Sequence, residues 1–416
     1  MRVLVVSKFW YLRGGLERVM FDEIAGLEAA GHHVAGFSTS HPDNQESPWS
    51  CYFAPYLELG RESSLSRIDR VRAIRRMFSN RSAAAAIDRL LVDFRPDIVH
   101  AHGIHRQLSP SILFAAKRRG IPVVQTLHDY HHVCPADVLL RSGSEACIPP
   151  SCGPLDTTPC VVNRCVRGSL AASAVSAAET SWQRARRAYE RTVDRFISPS
   201  SFLAGIMRDG GWTVPITVVP NAVAARRDPE RSDEGFFLMA SRLSPEKGIH
   251  IAARAARAAG VTLVVLGDGP ERERLLAEFP GLDVRGHVSA DEVERQLLRC
   301  RAVVVSSTAI ENAPMSVLEA MNLGVPVISS SVGGVPEQVR DRCDGILVPP
   351  GDVEALTTAL RQLAGDPGLA ARMGQSARKR AQTEFSFDRH MQSLIEVYEQ
   401  ELPPKDTRNE KTRGPE

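Results

Sequence analysis

Short runs of β-branched residues alternate with longer amphipathic stretches along almost the whole chain, and this alternation constrains the fold more than any other feature. A strand covered on both faces reads as a continuous apolar run, and a parallel neighbour is reached only through a crossover, usually a helix. The pattern therefore predicts parallel sheets with helices on both faces. In the first half the predicted strands are 2–7, 33–38, 97–102, 122–127 and 195–199; in the second they are 236–241, 261–266, 302–306 and 325–330. Two such sets predict an α/β protein with two doubly wound domains facing across a cleft, and 416 residues suit two cores better than one.

Pro199, Pro215, Pro220 and Pro229 interrupt the periodicity between 199 and 235, where 226–231 also forms a polar link. We expect a first domain over 1–200 and a second over 201–385. A helix at 386–402 should pack back toward the first domain. The segment 403–416 mixes charge with Pro and Gly, lacks apolar residues to bury, and reads as a disordered tail.

The net charge of +2 hides an asymmetry: residues 1–200 carry 25 Lys and Arg against 19 Asp and Glu, and residues 201–416 carry 26 against 30. Arg67, Arg70, Arg72, Arg75, Arg76 and Arg81 concentrate the positive charge in one stretch. Such a stretch suits either a solvated helix face or peripheral contact with an anionic membrane. No run approaches the roughly 20 apolar residues of a membrane-spanning helix. The opening segment Met1–Ser7 reads as a strand and not as a signal peptide. Eight cysteines without an export signal suggest a reducing compartment, which points to the cytoplasm.

Three segments carry chemistry. Gly14 and Gly15 follow the first strand and precede a helix, so backbone amides and the positive dipole end could meet a phosphate, although a structural turn reads equally well. Arg242 and Lys247 follow the strand 236–241, a fork of donors and a mobile point charge suited to a diphosphate leaving group. After the strand 302–306, Pro314 suits a first helical turn, so Asn312, Ala313, Pro314, Met315 and Ser316 should present a helix start to the cleft. Glu311 precedes that helix and Glu319 lies inside it; each carboxylate can accept two hydrogen bonds from a diol.

Together and in this order, these segments resemble family 4 glycosyltransferases of the GT-B fold. The E-x7-E element is Glu311 to Glu319, the R-x4-K element is Arg242 to Lys247, and the glycine loop is Gly14-Gly15. Val219-Pro220-Asn221, Gly267-Asp268-Gly269-Pro270, Gly286-His287-Val288 and 332–337 also match. The resemblance implies retaining transfer of a hexose-type sugar from a UDP- or GDP-sugar, without a required divalent metal, to a glycan, lipid-linked or small-molecule acceptor. It places Arg242 and Lys247 on the diphosphate, Glu311 on the sugar, Glu319 on the ribose, Gly286 and Val288 at the base, and His128 near the anomeric centre. No nucleic acid is expected as a partner. His100 and His102 read as structural or acceptor-side positions. An epimerase or phosphorylase on the same architecture, or a non-catalytic scaffold, remains as an alternative.

Five cysteines crowd into 134–165. Cys147, Cys152, Cys160 and Cys165 are spaced C-x4-C-x7-C-x4-C in a Pro- and Gly-rich insertion. A structural zinc held by these four thiolates would order a loop without its own core; free thiols or disulfides are the alternatives.

Overall fold

The computed structural model describes residues 1–56, 66–142, 145–225 and 230–403. The tail from 404 and positions 226–229 of the polar link lie outside the described residues.

Two six-stranded parallel sheets form the framework. The first holds β1 (Arg2–Val6), β2 (His33–Phe37), β3 (Ile98–Ala101), β4 (Val123–Thr126), β5 (Arg195–Ser198) and β6 (Ile216–Val218), in spatial order β6-β5-β4-β3-β1-β2. The second holds β7 (Phe237–Ala240), β8 (Leu263–Leu266), β9 (Asp283–Val284), β10 (Ala302–Val305), β11 (Val327–Ser330) and β12 (Gly345–Val348), in the order β9-β8-β7-β10-β11-β12. Both are the doubly wound α/β sheets that the alternating pattern predicts, and the pair of them is what the resemblance to the GT-B fold implies. In each sheet the order reverses beside the first strand, between β1 and β3 and between β7 and β10. Ligands of open α/β sheets bind outside the carboxyl ends of strands at such reversals.

Three strands escaped the sequence pattern. β6 lies between Pro215 and Pro220, and prolines read as a linker from sequence; here they bound a sheet-edge strand, where a missing donor is tolerated. The first sheet thus continues to Val218, so a division after residue 200 falls too early. β9 is only two residues long, and β12, the opposite edge strand, is a four-residue run that opens on Gly345 and is followed by two prolines, Pro349 and Pro350.

Four helices matter below: α1 (Gly15–Ala29), α2 (Arg67–Phe78), α3 (Met315–Asn322) and α4 (Phe387–Glu401). α4 packs on the first sheet, burying Met391, Leu394, Val397 and Tyr398 against Val3, Val5, Ile98, Val124 and Ile197. Gly26 of α1 permits this approach, since a Cβ there would lie 2.8 Å from the Met391 sulfur and the Phe387 ring. The chain leaves the first sheet and returns to it through neighbouring segments: Val223 bridges Ser386, and the Val223 N–H donates to the Phe385 carbonyl at 3.2 Å.

Candidate active site

The two reversal points face one cleft of about 670 Å³. Leu12 to Leu16, Arg18 and His128 line it from the first half; Arg242, Lys247, Glu311 to Ser316 and Glu319 line it from the second. A larger concavity of about 940 Å³ lies at the surface around 40–53. It holds none of the predicted site residues, and its size alone gives it no chemistry.

Local backbone geometry sets the second half of the site. Pro245–Lys247 forms one turn of 3₁₀ helix, and Gly248 at φ 67° redirects the chain into the next helix. A Cβ on Gly248 would sit 1.8 Å from the Ser306 carbonyl at the end of β10, so only glycine lets the Arg242-to-Lys247 loop lie against the Glu311 loop. Lys247 Nζ then donates to Glu311 Oε1 at 2.7 Å, and the Ser307 hydroxyl donates to the same oxygen at 2.6 Å. Arg242 forms no ion pair among the described residues. Gly333 and Gly334 press on the Glu311 and Asn312 carbonyls, where a Cβ on either would come within 1.9 Å.

Pro314, at φ −64° and ψ 125°, is the residue before α3 and not part of its first turn, so the helix begins one position later than expected. No side chain caps it, which leaves the first amides to the cleft. The Asn312 side chain serves as an anchor instead. Its Nδ2 donates to the Leu127 carbonyl at 3.3 Å, and its Oδ1 accepts from the Ser200 hydroxyl at 2.7 Å. Asn221 Nδ2 donates to the Ala313 carbonyl at 3.0 Å. The loop before α3 is thereby fixed to the end of the first sheet. Burial raises the Glu319 carboxyl above its ordinary range, with the Arg18 charge opposing.

Opposite, Gly14 has an extended backbone at φ −172°, which any residue adopts. A Cβ on Gly15 would meet Met315 at 3.5 Å, an ordinary contact, and one on Gly14 would meet only the Glu17 carboxylate at 3.8 Å. Crowding within the protein therefore requires neither glycine, and the space they leave opens on the cleft.

His128 follows β4. Its Nε2 lies 2.9 Å from His102 Nδ1, and burial pushes its pKa down to about 4 although Glu23 pulls the other way. His100 is fully buried between the Thr126 hydroxyl and the Tyr398 hydroxyl, each at 2.7 Å. Glu23, His390 and Tyr398, which touch this cluster, were missed from sequence. A usable signal existed: Glu23 interrupts the buried stripe Val19, Met20, Leu27 of α1, and His390 adjoins Met391 and Leu394. A charged residue in an apolar stripe implies a buried partner.

Two further groups of predicted residues lie outside this cleft. Gly286 and Val288 follow β9 and do not line this cleft. They lie two strands, roughly 10 Å, along the sheet from β7. The four cysteines neighbour one another in the insertion: the Cys160 and Cys165 thiols share a hydrogen bond, the Cys152 thiol lies close enough to Cys147 and Cys165 to feel their charge, and Ser151 N–H donates to the Cys147 sulfur at 3.3 Å. The described residues hold two groups of three candidate metal ligands within 4.8 Å, and neither contains a cysteine. A four-thiolate zinc shell brings every sulfur pair to roughly 3.8 Å. No three cysteine sulfurs lie within 4.8 Å of one another among the described residues, so a metal there would have to draw them together.

Residues 13–227 match the model of Glycosyltransferase Family 4, and residues 224–380 match that of Glycosyl transferases group 1. The chain is a family 4 glycosyltransferase. Its relatives include the glycogen synthase of Mycobacterium tuberculosis, 26% identical over 428 residues and covering 96% of this chain and 94% of that one. Another is a GDP-mannose-dependent alpha-(1-6)-phosphatidylinositol monomannoside mannosyltransferase of Mycolicibacterium smegmatis, 33% identical over 180 residues, or 38% of this chain and 47% of that one. Among solved structures, Anabaena Alr3699/HepE in complex with UDP and glucose superposes with a TM-score of 0.66 at 17% identity, covering 96% of this transferase and 100% of that chain. Sucrose-phosphate synthase of Thermosynechococcus elongatus gives 0.67 at 18%, covering 96% and 98%. Among the described residues of this transferase, no helix is long and apolar enough to cross a membrane.

Proposed function

We propose that this transferase moves a hexose from a UDP- or GDP-sugar to a hydroxyl acceptor with retention of anomeric configuration. The observation that carries the reading is the meeting of Arg242, the Lys247–Glu311 pair and the uncapped start of α3 at one reversal point, opposite Gly14-Gly15. As the bond from the anomeric carbon to the diphosphate breaks, negative charge grows on the departing oxygens. Arg242, Lys247 and the α3 amides meet that charge in a preorganised site, an effect worth about 3–4 kcal/mol for one well-placed donor. Lys247 drawn to phosphate releases Glu311 to accept from sugar hydroxyls. Glu319 accepts from the ribose, and Gly286 and Val288, two strands along the sheet, take the base. The acceptor oxygen bonds the anomeric carbon on the face being vacated, and its proton passes to the departing phosphate oxygen. The two cations supply the charge compensation for which other transferases use a metal.

Both nucleotide classes have support among the relatives: structures of HepE hold UDP or UDP-glucose, and the mycobacterial mannosyltransferase is GDP-mannose-dependent. A thermal-shift screen across nucleoside diphosphates and their sugars tests the reading. A ligand at 100 times its Kd should stabilise the protein by about 2.7 kcal/mol. No shift with any nucleoside diphosphate would return the scaffold alternative, and donor turnover without acceptor would favour an epimerase.

A second reading concerns α2. Ala73 and Met77 are buried, while Ile68 at 66% and Val71 at 57% exposure stand on the outer face with Arg72 and Arg75. Apolar residues set among arginines on a solvent face suit the surface of an anionic membrane, and with it a lipid-linked acceptor. Co-sedimentation with phosphatidylglycerol vesicles, and not with phosphatidylcholine vesicles, is the expected result; equal partition to both removes this reading.

A further inference from the structure

The polar groups behind His128 form an ordered series across three elements. His390 of α4 places Nδ1 at 2.8 Å from the Pro220 carbonyl and Nε2 at 3.1 Å from Glu23 Oε1. A carbonyl only accepts, so Nδ1 carries a hydrogen. Burial opposes charge on both Glu23 and His390, yet their mutual contact holds the carboxyl low and the imidazole high, as an ion pair. The second oxygen, Glu23 Oε2, lies 3.5 Å from both His100 Nδ1 and His102 Nε2.

His100 is already committed. The Tyr398 hydroxyl has His100 Nδ1 as its one partner among the described residues and donates to it, so His100 carries its hydrogen on Nε2, toward Thr126. Glu23 Oε2 and His102 Nε2 remain, both fully buried and neither with a partner. Each supplies what the other lacks if His102 carries its hydrogen on Nε2. A neutral His102 then offers a bare Nδ1, which accepts from His128 Nε2 at 2.9 Å.

We propose that Glu23, His102 and His390 are positioning residues that hold His128 with its hydrogen on Nε2, leaving Nδ1 as a hydrogen-bond acceptor for a hydroxyl of the transferred sugar. His128 in this state receives a hydroxyl proton bond and donates nothing to the ring oxygen or the phosphate. The neutral ring agrees with the depression of His128 and His102 by burial. The identity of the sugar rests on the transferase reading above; the tautomer does not.

Two-bond ¹⁵N–¹H correlation on the full chain labelled at histidine reads the tautomer directly. At pH 7 the expected His128 signature is protonated Nε2 and bare Nδ1; the reverse in the wild-type protein overturns the proposal without any variant. Glu23→Leu should undo the series, because His102 Nε2 then has no acceptor and the hydrogen of His128 is no longer held on Nε2. That variant should lower kcat about 10-fold with KM for the donor little changed, the scale of one misdirected hydrogen bond. A folded Glu23→Leu with an unchanged His128 spectrum also overturns it. A divalent cation held by Glu23, His100 and His102, whose ligand atoms lie within 4.8 Å, needs a bare Nε2 on His102 and gives the opposite tautomer. One metal per purified chain by elemental analysis would therefore decide against the proposal. Nucleotide binding with the wrong tautomer sinks the series alone, whereas the right tautomer without nucleotide binding sinks the transferase reading alone.

Discussion

The two reversal points use opposite electrostatics. At β7 and β10 the functional groups are charged and reach the cleft, with Lys247 and Glu311 paired across 2.7 Å. At β1, β3 and β4 they are imidazoles buried deeply enough to stay neutral: His100, His102, His105, His128 and His132 are all pushed below their ordinary pKa, chiefly by burial. On the proposed reading, one half compensates a diphosphate and the other directs hydroxyls. Similar folds thus divide the chemistry of a transfer between charge and hydrogen-bond direction.

The contrast can be broken in several ways. The largest effect is expected from Lys247→Ala, which should lower kcat by roughly 10²–10³ with little change in Tm, the cost of removing one donor to a developing charge. Parallel losses of Tm and activity would assign Lys247 to structure instead.

Acid should act on the first half before the second. A histidine depressed in the folded state takes its proton near pH 6.5 only when unfolded, so stability falls as pH drops below that value. The slope is about 1.4 kcal/mol per pH unit for each such histidine until its folded pKa, about 4 for His100 and His128, is reached. His131 and His390 are raised and act in the opposite sense, so the five depressed rings outweigh them. Between 201 and 385 no histidine is buried among the described residues. All four tryptophans, at 10, 49, 182 and 212, precede β7 and report the first half. Their fluorescence transition should move down by at least about 5 °C between pH 7 and 5; an unchanged midpoint would contradict the neutral cluster.

Glu319→Gln should weaken nucleoside diphosphate binding by roughly 10-fold in calorimetry, since an amide accepts at one atom only. Equal affinity would remove Glu319 from the ribose. Gly15→Ala should give the smallest thermal effect, with Tm unchanged or slightly raised because alanine favours a helix. Donor KM should still rise several-fold if that space belongs to the ligand, and an unchanged KM would return Gly14-Gly15 to a plain turn.

How much could be read in advance differs between the halves for a physical reason. Arg242, Lys247, Glu311 and Glu319 lie within two short segments, each placed by the strand before it, so spacing alone predicts their meeting. Glu23, His102, His128 and His390 come from widely separated segments and meet only through tertiary packing. β6 was hidden because proline marks both linkers and sheet edges. The cysteine spacing predicts thiols that neighbour one another, as they do, but it does not fix how closely the sulfurs approach.

The bridge between Val223 and Ser386 has a mechanical consequence. The outgoing and returning connections between the lobes are fastened to each other at one place, so they act as a single pivot and not as two tethers on opposite sides. Opening and shutting the enzyme then amounts to a swing about that point, while sideways sliding of one lobe past the other must break the bond between the two cords.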